Sequence, residues 1–463
     1  MKYDIAIIGS GPGGYVAAIR ASQLGKKVVV IEKAEIGGVC LNWGCIPTKA
    51  LLKSAQVFDY TKHALDYGVN IEGNISADLP AMVKRSRGVA ENMSKGVQYL
   101  FKKNKIELIQ GFGKVVPGKK VEITDDNGNK TTVEADNIII ATGAKARQLP
   151  NLPIDGKKIL GYRHAMTLEK LPESMVVVGS GAIGSEFAYF YNTLGVKVTL
   201  VEYFPNIIPM EDEDASKQLA RSFKKAKMKI MTDSTVEKVD TSGEKCLVTV
   251  KTKKGNTEVE ADVVLSAVGI ETNIEGIGLE EVGIKTEKGK VVVDDFYQTN
   301  IEGYYAIGDI VKGPALAHTA SHEGITCVEK IAGIEVEPVD YGNIPACTYT
   351  SPEVASVGMT EKQAVEAGYE IKVGKFPFTA SGKASAAGKK DGFVKVVFDA
   401  KYGEWLGCTM VGENVTEMIG EVVVARKLET TGEEIIKSVH PHPTMSEAIM
   451  EAVADAYGEV IHL

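Results

Sequence analysis

Residues 4–32 read DIAIIGSGPGGYVAAIRASQLGKKVVVIE, and residues 174–202 read SMVVVGSGAIGSEFAYFYNTLGVKVTLVE. At a constant offset of 170 positions, Gly9 matches Gly179, Gly11 matches Gly181, Gly14 matches Gly184, and Glu32 matches Glu202. Each stretch is an apolar run, a glycine turn, a helix with small residues on one face, and a second apolar run ending in Glu. That is a complete βαβ unit. The first glycine permits the tight turn, the second lets the backbone approach a pyrophosphate, and the third lets helix and strand pack closely. The amino terminus of the helix favours the phosphate charge. Each Glu lies 18 positions beyond its last glycine, where a carboxylate can accept bonds from a ribose diol. One such fingerprint is a weak signal. Two in register imply two dinucleotide sites.

A second repeat closes each unit. Val133-Glu-Ala-Asp136, an apolar strand and Ala141-Thr142-Gly143 recur as Val259-Glu-Ala-Asp262, a strand and Ala267-Val-Gly269, now at an offset of 126. The first copy therefore holds 44 extra residues between its Glu and its closing strand. They begin just after Glu32 and contain GGVCLNWGCIPTK, with Cys40 and Cys45 five positions apart. Five residues of regular α-helix rise about 7.5 Å and turn about 140°. That separation exceeds the roughly 7 Å between Cα atoms that a disulfide spans. A bridge here needs a distorted helix, and Gly44 and Pro47 supply the means. The redox segment is thus an insertion in the first nucleotide-binding domain, set against whatever that domain binds.

Composition narrows the rest. At 463 residues the chain is too long for one core, and about 150 residues per domain predicts three domains. A net charge of −8 disfavours nucleic acid, whose phosphates require clustered Lys and Arg. No run of 18 apolar residues offers a membrane span, and the amino terminus carries neither a signal-peptide nor an Arg-rich transit pattern. The expectation is a cytoplasmic protein, or a mature form lacking its presequence. Six cysteines are too few for a disulfide scaffold, and Cys246, Cys327, Cys347 and Cys408 read as small buried hydrophobes. Glu202 bears on which nicotinamide binds in the second, exchangeable site. A carboxylate suits a free 2′-hydroxyl and repels a 2′-phosphate, and Tyr203, Phe204 and Pro205 offer no Arg, so NAD is expected.

Residues 299–309 predict a strand ending in Gly308-Asp309, where the Asp is either a ligand-binding residue or a cap for the helix that starts near His318. From residue 341 the texture changes. Alternation such as Phe393-Val-Lys-Val-Val-Phe398 predicts an antiparallel sheet, with amphipathic helices near 413–428 and 446–458. Near the end stands His440-Pro-His442-Pro-Thr-Met-Ser-Glu447. Prolines on both sides limit the motion of His442, and Glu447 can return to orient its imidazole. Thiol–disulfide exchange near neutral pH needs such a base.

Both glycine fingerprints, GGxCxNxGCxPxK, Ala-Thr-Gly, the Gly-Asp strand, Leu316-Ala317-His318, Ser351-Pro-Glu-Val-Ala-Ser-Val-Gly358 and His-Pro-His-Pro-Thr together make the chain similar to the flavin-dependent pyridine nucleotide–disulfide oxidoreductases over essentially its whole length. Within that family it looks most like the branch that oxidises dihydrolipoyl groups with NAD⁺. The resemblance implies an α/β fold: two Rossmann-like FAD- and NAD-binding domains plus an α+β C-terminal dimerisation domain. The boundaries expected are 1–148 with 271–340 for FAD (redox insertion 33–84), 149–270 for NAD, and 341–463 for the interface. It implies that tightly bound FAD is held by Gly9, Gly11, Gly14, Glu32, Lys49, Gly113, Thr142, Gly143, Gly308, Asp309, Ala317 and His318. NAD⁺ would be held by Gly179, Gly181, Gly184, Glu202, Val236 and Gly269. Lys49 would pair with Glu186 near the flavin, although a surface helix carboxylate is the plainer reading of Glu186. Cys45 would lie against the flavin, Cys40 would exchange with substrate, and His442 with Glu447 would serve the cysteines of the other subunit of a homodimer. A separate lipoyl-bearing carrier protein would be the substrate.

There are departures and rivals. Many family members carry Arg after the second Ala-x-Gly, where this chain has Ile270, which puts a nicotinamide-side contact in doubt; Trp43 between the cysteines is a permitted variation. A glutathione-type reductase would prefer NADPH and show Arg near Glu202. A mercuric reductase would end in a cysteine pair, and an NADH oxidase would use one active cysteine. A catalytically idle redox sensor would have lost a cysteine or the terminal His, and neither is lost.

Overall fold

The structure is a computed structural model that describes residues 2–463, which fold into two compact units. The first comprises Met1–Leu51, Pro80–Arg147 and Gly269–Val339. The second comprises Leu52–Leu79, Gln148–Val268 and Asp340–Leu463.

The first unit is built on a seven-stranded sheet. Strands β1 (Lys2–Ile8), β2 (Val28–Glu32), β3 (Glu107–Gln110), β4 (Phe112–Val116), β5 (Lys120–Thr124) and β6 (Lys130–Ile140) run in the order β3-β2-β1-β6-β5-β4, and Tyr304–Ala306 pairs with β6. β1, β2, β3 and β6 are parallel. β4, β5 and β6 form an antiparallel meander. Every residue of β2, VVVIE, is buried, as expected for a parallel strand covered on both faces. Helix α1 (Pro12–Gln23) turns Gly13, Gly14, Ala17, Ala18 and Ala21 inward, small side chains that let it lie close to the sheet.

In the second unit the pattern repeats. Five parallel strands run in the order Lys229–Met231, Lys197–Val201, Ser174–Val178, Val263–Ser266, Ile159–Leu160. A three-stranded antiparallel meander spans Thr235–Asp240, Cys246–Thr252 and Gly255–Ala261. The first copy closes with one strand of 11 residues, β6, whereas the second is broken at Asp262 between Gly255–Ala261 and Val263–Ser266. There the Asp262 carboxylate accepts from the Ser174 N–H (2.8 Å) and hydroxyl (3.1 Å).

The carboxy-terminal part of this unit holds an antiparallel five-stranded sheet, in the order Ala346–Thr348, Glu353–Gly358, Trp405–Gly412, Phe393–Asp399, Ile371–Pro377. Helices Val415–Lys427 and Glu447–Tyr457 stand where the sequence places them. The alternation in 393–398 belongs to the expected antiparallel sheet, but it does not mark a solvent face. All seven residues of Phe393–Asp399 are buried, and Lys395 meets a carboxylate cluster instead of solvent. Lys395 Nζ lies 3.1 Å from Asp212, 3.2 Å from Asp214 and 2.6 Å from Glu361. Asp212 also caps the helix Glu213–Lys225 by accepting from Asp214 N–H. Among the described residues, no helix is long and apolar enough to cross a membrane.

Candidate active site

The two glycine loops are superposable in their physics. Gly9 and Gly179 have φ of +104° and +94°, and a Cβ on either would lie 2.3 and 2.4 Å from the carbonyl oxygens of Ala141 and Ala267. A Cβ on Gly14 or Gly184 would lie 2.0 or 1.9 Å from the carbonyl of Gly9 or Gly179, so only glycine lets the helix approach the turn. A Cβ on Gly11 or Gly181 would meet nothing within 4 Å. These are the positions where a ligand's pyrophosphate would rest. Both are helix N-caps with no side-chain cap, so the first N–H groups stay directed outward. The residues present fit a dinucleotide in each copy.

Both acidic residues are buried and held in the same way. Glu32 Oε2 accepts from Ser10 N–H (2.8 Å) and Ser10 Oγ–H (2.7 Å), and Oε1 from Ala34 N–H (2.9 Å). Glu202 Oε2 accepts from Ser180 N–H (2.8 Å) and Ser180 Oγ–H (2.6 Å), and Oε1 from Phe204 N–H (2.9 Å). Beside the second loop, Gly179, Tyr203, Val236, Leu149, Leu152 and Val201 line a largely apolar cavity of about 120 Å³, sized for part of a flat heterocycle.

Elsewhere in the first unit, Thr142 Oγ–H donates to Asn273 O (2.7 Å) while Asn273 donates back to Thr142 O (3.0 Å). Gly143 and Gly308 both have positive φ, +66° and +77°. Gly308 N–H donates to the buried Glu323 carboxylate at 2.6 Å. Asp309 sits in a 3₁₀ turn, Gly308–Ile310, and its carboxyl is raised above the usual range by burial, with Lys290 opposing. The helix Ala317–Ile331 is N-capped by Leu316, so Asp309 is not its cap. His318 is exposed at the start of that helix. Gly113 lies within β4, and a Cβ there would press on Ile8 at 3.0 Å and Ile31 at 3.2 Å. Packing is reason enough for that glycine.

The cysteine segment is a broken helix, not one distorted one. Helix α2 (Gly38–Asn42) stops, Trp43 and Gly44 turn the chain, and α3 (Cys45–Lys62) begins. A Cβ on Gly44 would lie 3.0 Å from Val39 O and 3.3 Å from the Cys40 Cα, so the break brings the backbone of 44 onto Cys40. Both cysteines are thiols, Cys40 half-buried and Cys45 exposed. The hydrogen bond with Cys45, then burial, push the Cys40 thiol far up, and the Lys49 ammonium draws it back. Lys49 is one helical turn past Cys45 and so shares its face of α3.

Helix α4 (Leu79–Lys103), further along the chain, pins this break. Ser86 Oγ–H donates to Pro47 O (2.7 Å) and Arg85 to Ala50 O (2.7 Å). Ser94 donates to Ile36 O (2.6 Å) and Asn42 Oδ1 (2.9 Å). Arg87 donates to Asn42 O and lays its guanidinium over the Trp43 ring at 4.0 Å, while Trp43 Nε1–H donates to Glu35 (2.9 Å).

In the second unit, His442 Nδ1 is 2.8 Å from Glu447 Oε1, and Glu447 Oε2 accepts from Thr444 N–H at 2.7 Å. Burial works against the Glu447 carboxylate, but the Thr444 N–H and the His442 ring together hold its pKa below the ordinary value. Its place in the first turn of Glu447–Tyr457 suits a negative charge. The imidazole itself is 76% exposed, its Nδ1 tied and its far edge open. Glu186 is not the surface carboxylate of the plainer reading: it is 4% exposed and accepts from Tyr349 N–H at 3.0 Å. Where Ile270 replaces the family's usual Arg, the structure sets another arginine alongside. Arg147 N–H donates to Gly269 O (3.1 Å), and its guanidinium carbon would be 3.9 Å from a Cβ on Gly269. Cys246, Cys327 and Cys408 are buried, and Cys347 is half-buried.

Two nucleotide cradles and a paired-thiol insertion define a nucleotide-dependent disulfide oxidoreductase. The chain belongs to the pyridine nucleotide-disulphide oxidoreductases, whose family description matches residues 3–324, and residues 344–453 match the dimerisation domain of that family. More particularly, it is similar to dihydrolipoyl dehydrogenases. It is 50% identical to that of Rhizobium etli, over 100% of this chain and 99% of the other. It is 47% identical to that of Zymomonas mobilis (99% of each chain) and 42% to the mitochondrial one of Pisum sativum (99% and 92%). Among solved structures it is similar to LpdA from Mycobacterium tuberculosis, with a TM-score of 0.91 at 29% identity over 98% of this chain and 99% of that one.

Proposed function

We propose that the protein is a dihydrolipoamide dehydrogenase that oxidises the dihydrolipoyl group of a separate carrier protein with NAD⁺, as a cytoplasmic homodimer serving a 2-oxoacid dehydrogenase or glycine-cleavage system. The observation that carries this reading is the hydrogen-bonded pair Cys40 and Cys45, with Lys49 beside it, in the insertion that follows Glu32. Its full-length likeness to dihydrolipoyl dehydrogenases supports the substrate. The domain division proposed is 1–148 with 271–340 for FAD, 149–270 for NAD and 341–463 for the subunit interface.

His442 of one subunit serves as base toward the cysteines of the other. Glu447 holds Nδ1 and so leaves Nε2 to take a proton from a substrate thiol. That thiolate attacks Cys40 Sγ in the oxidised Cys40–Cys45 disulfide, and Cys45 departs as a thiolate held by the Lys49 charge. The second substrate thiol, deprotonated in turn, displaces Cys40 and closes the lipoyl disulfide. The hydrogen bond with Cys45 and burial hold the Cys40 thiol up against the pull of Lys49, and a substrate thiol is itself mostly protonated near neutral pH, so an outside base is required. Gly9, Gly11, Gly14 and Glu32 hold FAD with Gly113, Thr142, Gly143, Gly308, Asp309, Ala317 and His318, and the second copy, with Val236 and Gly269, holds NAD⁺. FAD, when bound, supplies the two-electron path between the cysteine pair and NAD⁺. Glu186 pairs with Lys49 in this reading.

The test is steady-state turnover of purified protein on dihydrolipoamide with NAD⁺, beside glutathione disulfide with NADPH. Turnover in the first assay alone is expected. Turnover only in the second would overturn both the substrate and the NAD assignment.

A further inference from the structure

We propose that Ser180 is a positioning residue for NAD⁺ selection, acting through Glu202; this rests on the reading of Glu202 as the ribose-binding carboxylate. Glu202 is 5% exposed, and among the described residues it is held by three neutral donors and no cation: Ser180 N–H, Ser180 Oγ–H and Phe204 N–H. A carboxylate offers about four acceptor directions. Oε2 spends two on Ser180 and Oε1 spends one on Phe204. One direction, on Oε1, remains for a ligand.

The consequence is selectivity by rigidity. Rotating the carboxylate to welcome a different ribose would break both Ser180 bonds, one of them a short hydroxyl bond to a charged acceptor. Glu202 therefore presents a single fixed, negatively charged oxygen, which a 2′-hydroxyl can donate to and a 2′-phosphate cannot avoid. The backbone N–H of residue 180 is there whatever its side chain, so the hydroxyl is the removable half of the lock. The first copy shows the same lock under a second load. Ser10 Oγ also accepts from Gly37 N–H at 3.1 Å, tying Glu32 to the cysteine insertion. The position matching Gly37 in the second copy is Ile207, a buried apolar residue, so the Ser180 hydroxyl can be removed without touching the thiol segment.

The experiment compares Ser180→Ala, Ser180→Cys, Glu202→Gln and the double variant Ser180→Ala/Glu202→Gln, each first checked for wild-type flavin content. Ser180→Ala and Ser180→Cys are expected to raise KM for NAD⁺ about fivefold to twentyfold, leave kcat within about twofold, and narrow the NAD⁺/NADP⁺ ratio of kcat/KM. Cysteine keeps the shape but is a weak donor, so a wild-type KM in Ser180→Cys with a raised one in Ser180→Ala would mean packing and overturn the proposal. The double variant should be no worse than Glu202→Gln, because the serine acts only through the carboxylate; additive losses would also overturn it. If Glu202→Gln alone leaves KM and the cofactor ratio unchanged, the Glu202 reading fails. If it alters both while the Ser180 variants are silent, only the role of Ser180 fails.

Discussion

The two glycine-loop copies agree to within about 0.1 Å in the contacts that forbid a Cβ and in the bonds that hold their acidic residues, and diverge just after the Glu. Past Glu32 the chain runs into the cysteine helices. Past Glu202 it runs through Tyr203-Phe204-Pro205 to Asp212, which caps a helix and is locked by Lys395. The cradle is thus set by backbone sterics that tolerate almost no variation, while the segment beyond it is free to specialise. In the proposed reading, one copy carries chemistry and the other carries anchorage.

The sharpest way to break this contrast is to strip the chemistry from the first copy. Cys45→Ser or Cys40→Ser should lower turnover of dihydrolipoamide at least about a thousandfold while flavin content stays at wild type. Loss of flavin instead would mean that the insertion builds the cradle. His442→Gln should lower kcat/KM for dihydrolipoamide about a hundredfold to ten-thousandfold.

The anchorage side is tested by Lys395→Met, which leaves Asp212 buried without its cation. A loss of about 3–5 kcal/mol is expected, read as a lower unfolding midpoint with unchanged KM values. The smallest effect is expected at Glu447. Because its folded pKa lies below the unfolded value of about 4.3, its contribution is present above that pH and lost as the pH falls through the folded value. The gap in midpoint between wild type and Glu447→Gln should therefore close on acidification, and a gap that widens would contradict the geometry.

Much of this was legible because it is local. The glycine spacings, the Glu at the strand end and the His442–Glu447 contact all lie within one βαβ unit or one turn of chain. The break between α2 and α3 was anticipated only as strain, since nothing in Gly-Cys says where a helix resumes. The pins from α4 were invisible: Ser86 to Pro47 and Arg87 to Asn42 span 39 and 45 positions, and no periodicity marks a hydroxyl that will meet a carbonyl so far away. The setting of Lys395 is hidden for a related reason. A lysine in an alternating strand predicts water on that face, and a carboxylate cluster satisfies the same charge. Ser10 and Ser180 stood in plain view inside each fingerprint, but the fingerprint is read for its glycines.

Trp43 gives the protein a built-in optical reporter. The chain has only two tryptophans. Trp405 is buried in the carboxy-terminal sheet, stacked on Phe398 at 5.1 Å. Trp43 sits between the two cysteines with its ring fixed under Arg87. Sulfur quenches indole emission at contact range, so opening and closing of the Cys40–Cys45 bond should modulate the emission of Trp43. Redox state could then be followed by fluorescence without any dye, and Trp43→Phe would silence the signal.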